Sequence, residues 1–501
     1  MKLGSGFGLL VLLIAGFASP QSAARLGGPV EHVAHHDHIL GTSLDLTITA
    51  DRETDAFAAE DAVLAEIERL RLVFSLYDPT SELSKLNRTS EPVPASSELL
   101  MVLGSYEQWQ ERSGGAFNGQ LGNLVSLWKQ AEKANRLPDD VAVQAVVRDL
   151  NKPAWRIDAE RRTVQRLTPQ PLNLNAIAKG YILQRAAEAG RKSPGVLSIL
   201  VNLGGDIRVE GGSPVAIGIQ DPFQTEDNSP PLAAVKLANG AIATSGGYQR
   251  FQVIDGKRYS HIFDPRTGRP ADGVASATVI AADNATANAL ATTLCVLAPE
   301  EGLKLVATQA GAECLIIAAS GERFASPGLK LLEVERTVAL QDKKEAPKGE
   351  AWPADYQVNL KLELPTIENT KKYRRPYVAV WVEDADGKPV RTLSVWGQAP
   401  KYLKDLFDWW KIAKGDNALV KAVTRATRGP GKYDLTWDGK NDKGDAMPQG
   451  TYTVKVEVHR EHGKHVVQTG KIECKAKDAK ATLEKNEETA ATAVEYAKKK
   501  K

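Results

Sequence analysis

The sequence predicts an α+β domain followed by an all-β sandwich, and three features of the chain predict it. Across residues 55–74, Val63, Ile67, Leu70 and Phe74 fall at alternating spacings of four and three, the period of a helix with one apolar face. Apolar runs of strand length, 196–203 and 315–318, interleave with further helical stretches at 176–189 and 286–297. From Tyr356 onward the texture changes to alternating strands, as in Val378-Ala379-Val380-Trp381-Val382 and Tyr452-Thr453-Val454-Lys455-Val456. Glycine, asparagine and aspartate turns separate these runs.

Taken in order, the chain opens with Lys2, an apolar run over 7–17 and small residues to Ser22-Ala23-Ala24, which read as a secretory signal peptide over 1–24. The run is too short to span a bilayer, and no cysteine lies near the cleavage point to carry a lipid. The expected product is a soluble exported protein, periplasmic or otherwise extracytoplasmic. Residues 25–37 read as a linker. His32, His35, His36 and His38 have spacings that could hold a metal, but a solvated linker explains them better. The mixed domain spans 38–337, with a second helix starting at Ser96. It closes there because 341–353 turns charged and proline-bearing without apolar period, so 338–355 reads as a second linker.

The β domain spans 356–475. Its turn-rich stretch from Trp437-Asp438-Gly439-Lys440 through Pro448-Gln449-Gly450 is similar to an element of immunoglobulin-like domains, so an immunoglobulin-like sandwich is expected. Trp396, Trp409 and Trp410 would mark a contact surface if exposed, but such residues are more often core. Residues 476–501 are charged and alanine-rich, a tail expected to be frayed helix or disorder.

At 501 residues, 42% hydrophobic and 25% charged, the chain can bury a core in each domain. A net charge of +2 gives no reason to expect nucleic acid or an anionic membrane as partner. The three cysteines cannot all pair, and Cys295 and Cys314 sit in apolar stretches, so buried thiols are expected rather than a disulfide.

Chemistry concentrates in a few segments. Tyr259-Ser260-His261-Ile262-Phe263-Asp264-Pro265-Arg266-Thr267-Gly268 holds the one histidine between His38 and His459. His261 is therefore the obvious group in this domain to titrate near neutrality, although a lone histidine is more often structural. Asp264 would orient the site or cap its own Asp-Pro turn. Asn202-Leu203-Gly204-Gly205-Asp206 runs a strand into paired glycines, which permit close approach to a ligand or simply a tight turn. Ala243-Thr244-Ser245-Gly246-Gly247-Tyr248 offers hydroxyls and amides suited to phosphate oxygens, or ordinary turn chemistry. Asn173-Leu174-Asn175-Ala176-Ile177-Ala178-Lys179-Gly180-Tyr181 puts a lysine at a helix start, where charge and dipole favour an anion.

Together with Gly41-Thr42, Ser75-Leu76-Tyr77-Asp78-Pro79, Ser81-Glu82-Leu83-Ser84-Lys85-Leu86-Asn87, Gly115-Ala116-Phe117-Asn118 and Leu127-Trp128, these segments resemble the ApbE family of FAD:protein FMN transferases. The resemblance runs in order over about residues 40–332. It implies a two-lobed α+β fold, often followed by a β-rich module, that takes FAD as substrate with Mg2+ on its diphosphate. It implies that Leu40, Tyr77, Ala116, Phe117, Asn118, Asn173, Lys179 and Phe263 contact FAD. By the same resemblance, the Ala176 carbonyl and the side chains of Asn288 and Thr292 would hold the metal. His261 would be the base that activates a threonine or serine hydroxyl of an acceptor, often an envelope electron-transfer protein carrying a short flavinylation motif.

The chain departs from the family where aspartates are usual: positions 118, 173 and 288 are all asparagine. An amide oxygen still ligates a hard cation but brings no charge. The alternatives that remain are an FAD pyrophosphatase, with water in place of the acceptor, and a flavin-binding protein without catalysis.

Overall fold

The computed structural model describes residues 28–223, 231–247, 251–332, 349–350, 352–353, 355–367, 375–397, 403–416, 419–420, 423–425, 427–461 and 463–499. The expected signal peptide, most of the second linker and Tyr248 lie outside the described residues.

The first strand begins inside the stretch expected to be a linker. β1 (Val30–Ile39) pairs antiparallel with β2 (Thr42–Ala50). What turns this histidine-rich segment into a strand is a set of acids on the neighbouring elements. His32 Nε2 and His36 Nε2 both meet the Glu60 carboxylate of α1 (Glu53–Phe74), at 2.6 and 2.7 Å. His35 Nδ1 meets Asp45 of β2 at 2.6 Å. Among the described residues no group of three His, Cys, Asp or Glu side chains is arranged to hold a metal.

The main sheet continues through β3 (Val196–Leu203), β4 (Asp206–Glu210), β5 (Gly240–Gly246), β6 (Val274–Ala281), β7 (Glu313–Ala318) and β8 (Arg323–Ala325), each antiparallel to the one before. One face carries α1, α5 (Asn175–Arg191) and α6 (Asn284–Leu294) over a single apolar core. The other face buries Val209, Ile242, Ile280, Leu315 and Ile317 under a ribbon that pairs Val215–Ile219 with Ala233–Leu237. Cover on both faces explains why the inner strands read as nearly continuous apolar runs rather than alternations.

Between β2 and β3 the chain builds a smaller unit. Here α2 (Ser97–Arg112) begins where Ser96 accepts from Leu99 N, and α3 (Gly122–Ala134) and α4 (Asp140–Leu150) follow. Trp128 on α3 is fully buried with Leu124, Leu150, Ile254 and Phe263, and its Nε1 donates to Gly268 O at 3.0 Å. Burial of so large a ring, with its one polar atom bonded, ties the 259–268 segment to this unit.

The second domain is two sheets around a shared core. One orders β13 (Gly431–Trp437), β9 (Tyr356–Leu364), β17 (Thr492–Lys498) and β16 (Ala479–Leu483). The other orders β12 (Thr424–Arg425), β11 (Pro389–Trp396), β10 (Tyr377–Glu383), β14 (Gly450–His459) and β15 (His465–Cys474). Alternate residues of both sheets form that core, from Val358 and Leu360 to Val454 and Tyr496.

Two expectations need correction here. The segment 476–501 is not a frayed tail within the described residues: β17 sits beside the domain's first strand and buries Val494 and Tyr496, because Thr492, Val494 and Tyr496 alternate onto one face of the strand. The strand order also differs from the immunoglobulin arrangement, since the first strand lies between the fifth and the last.

The outer face of β10 is covered in turn by α7 (Phe407–Ala413). Trp396 and Trp409 are fully buried and Trp410 is half-buried, so they are core, not an exposed aromatic surface. Glu457, fully buried, accepts from Asp408 N and Trp409 N and so caps α7. All three cysteines are free and buried.

Candidate active site

Two tight hairpins meet at one end of the main sheet. Leu40-Gly41 joins β1 to β2, and Gly204-Gly205 joins β3 to β4. Their φ values of +50°, +79°, +57° and +94° are the left-handed ones that a two-residue loop of this hand demands. Glycine takes them freely, whereas Leu40 is held there against its ordinary preference. Gly204 N donates to Ser43 O at 3.0 Å, and a Cβ at 204 would collide with Thr42 Oγ1. Asn202 Oδ1 accepts from Gly205 N at 2.9 Å.

This packing sets the position of Asp206, the first residue of β4, which is 5% exposed. Lys179 Nζ, in the second turn of α5, lies 2.7 Å from Asp206 Oδ2 and 3.4 Å from Gly204 O. Asn288 of α6 donates from Nδ2 to the same Oδ2 at 3.0 Å. A carboxylate only accepts, so the amide turns its nitrogen to Asp206. That leaves Asn288 Oδ1 buried and without a hydrogen-bond partner. Close approach of the two helices depends on Gly180, where a Cβ would stand 2.5 Å from Asn288 Oδ1 and 2.6 Å from Asn284 O.

One helical turn beyond Asn288, Thr292 Oγ1 lies 3.4 Å from Ser245 Oγ at the end of β5. The next glycine but one, Gly247, packs on Ser260, whose Oγ would be 2.6 Å from a Cβ there. The exposed His261 therefore adjoins the strand end that carries Ser245. Asp264 takes both oxygens to the Arg266 guanidinium at 2.9 Å and accepts from Arg266 N, which holds the arginine above its ordinary pKa. It closes its own turn rather than reaching His261.

The remaining positions fall on neighbouring loops. Arg266 Cγ would be 3.7 Å from a Cβ at Gly115, which brings the 261–268 loop against 115–118. Ala116 and Phe117 are buried, the latter stacked on Tyr106 at 5.1 Å. Asn118 donates to Leu150 O at 3.0 Å and accepts from Gln120 N at 2.7 Å, so both ends of its amide serve the fold. Asn173 N donates to Gly119 O, and Asn173 Oδ1 accepts from Asn175 N at the start of α5. Phe263 is buried, with its ring packed against Trp128 at 5.9 Å. Tyr77 is 93% exposed on the loop after α1, a bare aromatic on which a flat ring could stack. Ser75 Oγ holds that loop by accepting from Tyr77 N and Asp78 N.

The family model described as ApbE family matches residues 40–316, and a second, described as a predicted periplasmic protein (DUF2271), matches residues 357–491. The chain belongs to the ApbE family. It is similar to the protein named FAD:protein FMN transferase of Vibrio cholerae serotype O1, 31% identical over 58% of this chain and 87% of the relative. Another of that name, from Treponema pallidum, is 30% identical over 64% and 93%. Among solved structures, the ApbE protein of Thermotoga maritima covers 61% of this chain and all of its own, at 31% identity and a TM-score of 0.55. The flavin transferase ApbE from Vibrio cholerae covers the same shares at 25% identity and a TM-score of 0.51.

For an ApbE protein, the donor set at α5 and α6 can be tested against a divalent cation. The Ala176 carbonyl, the Asn288 amide oxygen and the Thr292 hydroxyl are all hard oxygens, and one of them is buried with nothing to bind. By donor type they fit Mg2+. They carry no charge among them, and the carboxylate in contact with Asn288 is Asp206. Sequence reasoning marked Asp206 only as the end of a glycine turn. Its link to Lys179 and Asn288 is made by three elements distant in the chain, and no local signal reports it.

Proposed function

We propose that the first domain is an FAD:protein FMN transferase that moves FMN from FAD to a threonine or serine hydroxyl of an acceptor protein. The observation that carries this reading is the contact of Lys179 and Asn288 with Asp206, with Thr292 of the same helix as Asn288 beside Ser245, and Gly247, two residues on, packed on Ser260 next to His261. Together these offer a cation, oxygen donors and a titratable base at one end of the sheet.

In this reading the acceptor oxygen attacks the FMN-side phosphorus of FAD. The new O–P bond forms as the diphosphate bridge breaks, and AMP leaves with the bridging oxygen. His261 takes the hydroxyl proton, because a hydroxyl is a poor nucleophile at neutral pH. Lys179 neutralises charge that builds on the phosphoryl oxygens. Ala176, Asn288 and Thr292 would hold Mg2+, which when bound supplies electrostatic stabilisation to the diphosphate. Tyr77 stacks on the flavin ring, while the Leu40 hairpin and the 116–118 and 173 loops line its approach. Residues 1–24 and the periplasmic description of the second domain's family together support an exported protein whose acceptor lies in the cell envelope.

The test is intact-mass analysis of an acceptor domain incubated with FAD, Mg2+ and either the wild-type protein or His261→Ala. The expected result is a mass gain of one FMN with wild type, and FAD binding without that gain in the variant. Transfer by His261→Ala at the wild-type rate would remove the histidine from the mechanism. Free FMN and AMP with no acceptor adduct would move the reading to a pyrophosphatase.

A further inference from the structure

We propose that Asp206 is the carboxylate that binds the divalent cation in this chain, and that Lys179 holds it closed until a phosphate-bearing ligand draws the ammonium away. The inference rests on the FMN-transfer reading and deepens it.

Mg2+ prefers carboxylates and phosphates to neutral donors. Position 288, which faces α5, offers only an amide, so charge must come from elsewhere. Asp206 is the side chain that the Asn288 amide touches, at 3.0 Å, and it is nearly buried. Its position is rigid. The Gly204-Gly205 turn is locked by Ser43 O and by the Asn202 amide, which in turn is held by Asp45. Both donors, Lys179 and Asn288, converge on Oδ2, and among the described residues Oδ1 accepts no hydrogen bond. Asn288 turns its nitrogen to Asp206 and thereby aims an unpartnered oxygen away from it. Once that amide turns over, which breaks its bond to Asp206, the pair would present one charged and one neutral oxygen donor.

The Lys179 ammonium now stands on Asp206 as a monovalent substitute for the ion. Its side chain is 30% exposed against 7% for Asp206, so the lysine is the mobile partner. An ion pair open to solvent on one side is weak, and an ammonium gains more from two phosphate oxygens than from one shared carboxylate. Ligand binding therefore exchanges Lys179 from Asp206 to the diphosphate and opens the carboxylate to the cation.

The experiment uses the full mature chain and Mn2+ alone, read as loss of the free-ion EPR signal, with no nucleotide and no acceptor. Wild type is expected to bind Mn2+ weakly. Lys179→Met is expected to bind it at least tenfold more tightly, and Lys179→Met with Asp206→Asn to lose that gain. An unchanged affinity on adding Asp206→Asn would overturn the ligand assignment, and no gain in Lys179→Met would overturn the gating. Lys179→Met with Asn288→Asp gives a second reading should the first pair fold poorly. A further gain supports a cation between residues 206 and 288, and none refutes it. Because neither FAD nor acceptor is present, failure here is distinct from failure to transfer FMN.

Discussion

Gly180→Ala tests whether the spacing of α5 and α6 sets the active site. An alanine Cβ would stand 2.5 Å from Asn288 Oδ1 and 2.6 Å from Asn284 O, so the helices must part by about 0.5 Å to reach tolerable contact. Asn284 cannot yield alone. It is fully buried, its N bonds Gln184 Oε1 and its Nδ2 bonds Ile207 O. Two free energies then oppose each other. Overpacking a core typically costs ~1–3 kcal/mol, while removing a glycine from a helix interior returns about 1 kcal/mol. The net loss of about 0–2 kcal/mol should lower the midpoint of thermal unfolding by only a few degrees.

Activity should fall further than stability. Lys179 lies one residue before Gly180, and both it and Asn288 bond Asp206 at contact distance. A displacement of 1 Å costs up to about a hundredfold in rate, so half of it should cost about tenfold. Thermal unfolding paired with the time course of acceptor mass gain separates the two effects. A variant with both a wild-type rate and a wild-type midpoint would show that the helix spacing does not position these groups.

The other predictions concern stability and reactivity. The Glu60 carboxylate is held below its ordinary value of 4.5 by hydrogen bonds from His36 and, after a smaller opposing effect of burial, from His32. A depressed carboxylate contributes stability that is fully present above 4.5 and is lost as pH falls through the lower folded-state value. The midpoint difference between wild type and Glu60→Gln should therefore persist at pH 7 and narrow as pH falls below 4.5; a difference that widens as pH falls below 4.5 would contradict the pairing. Burial pushes the thiols of Cys295 and Cys314 up to about 12 and about 11, and raises that of Cys474 as well. A thiol reagent at pH 8 should find none of the three reactive in the native protein and all three in denaturant, because the thiolate is the attacking species.

Much of this molecule is legible one-dimensionally, because local physics writes it there. The period of Val63, Ile67, Leu70 and Phe74 becomes the buried stripe of α1, and Ser96 caps α2 as its position suggests. The β alternation after Tyr356 becomes two sheets with one core. Motifs along the first domain suffice to place it in its family, since each is a short turn or helix start with its own residue requirements. What the sequence alone misreads are segments whose conformation is imposed from outside. The histidines of 32–36 are polar and look solvated until Glu60 and Asp45 meet them from other elements. The last residues look like a charged tail until β9 supplies a partner for the alternation of Thr492, Val494 and Tyr496.

The site shows the same division. Residue types at 179, 261, 288 and 292 are visible in the chain, but charge balance is a property of contacts. Only the antiparallel packing of β3 on β4, with α5 and α6 across them, puts one carboxylate between Lys179 and Asn288. Electrostatic interactions act through space over a few ångströms, and sequence distance carries no measure of that separation.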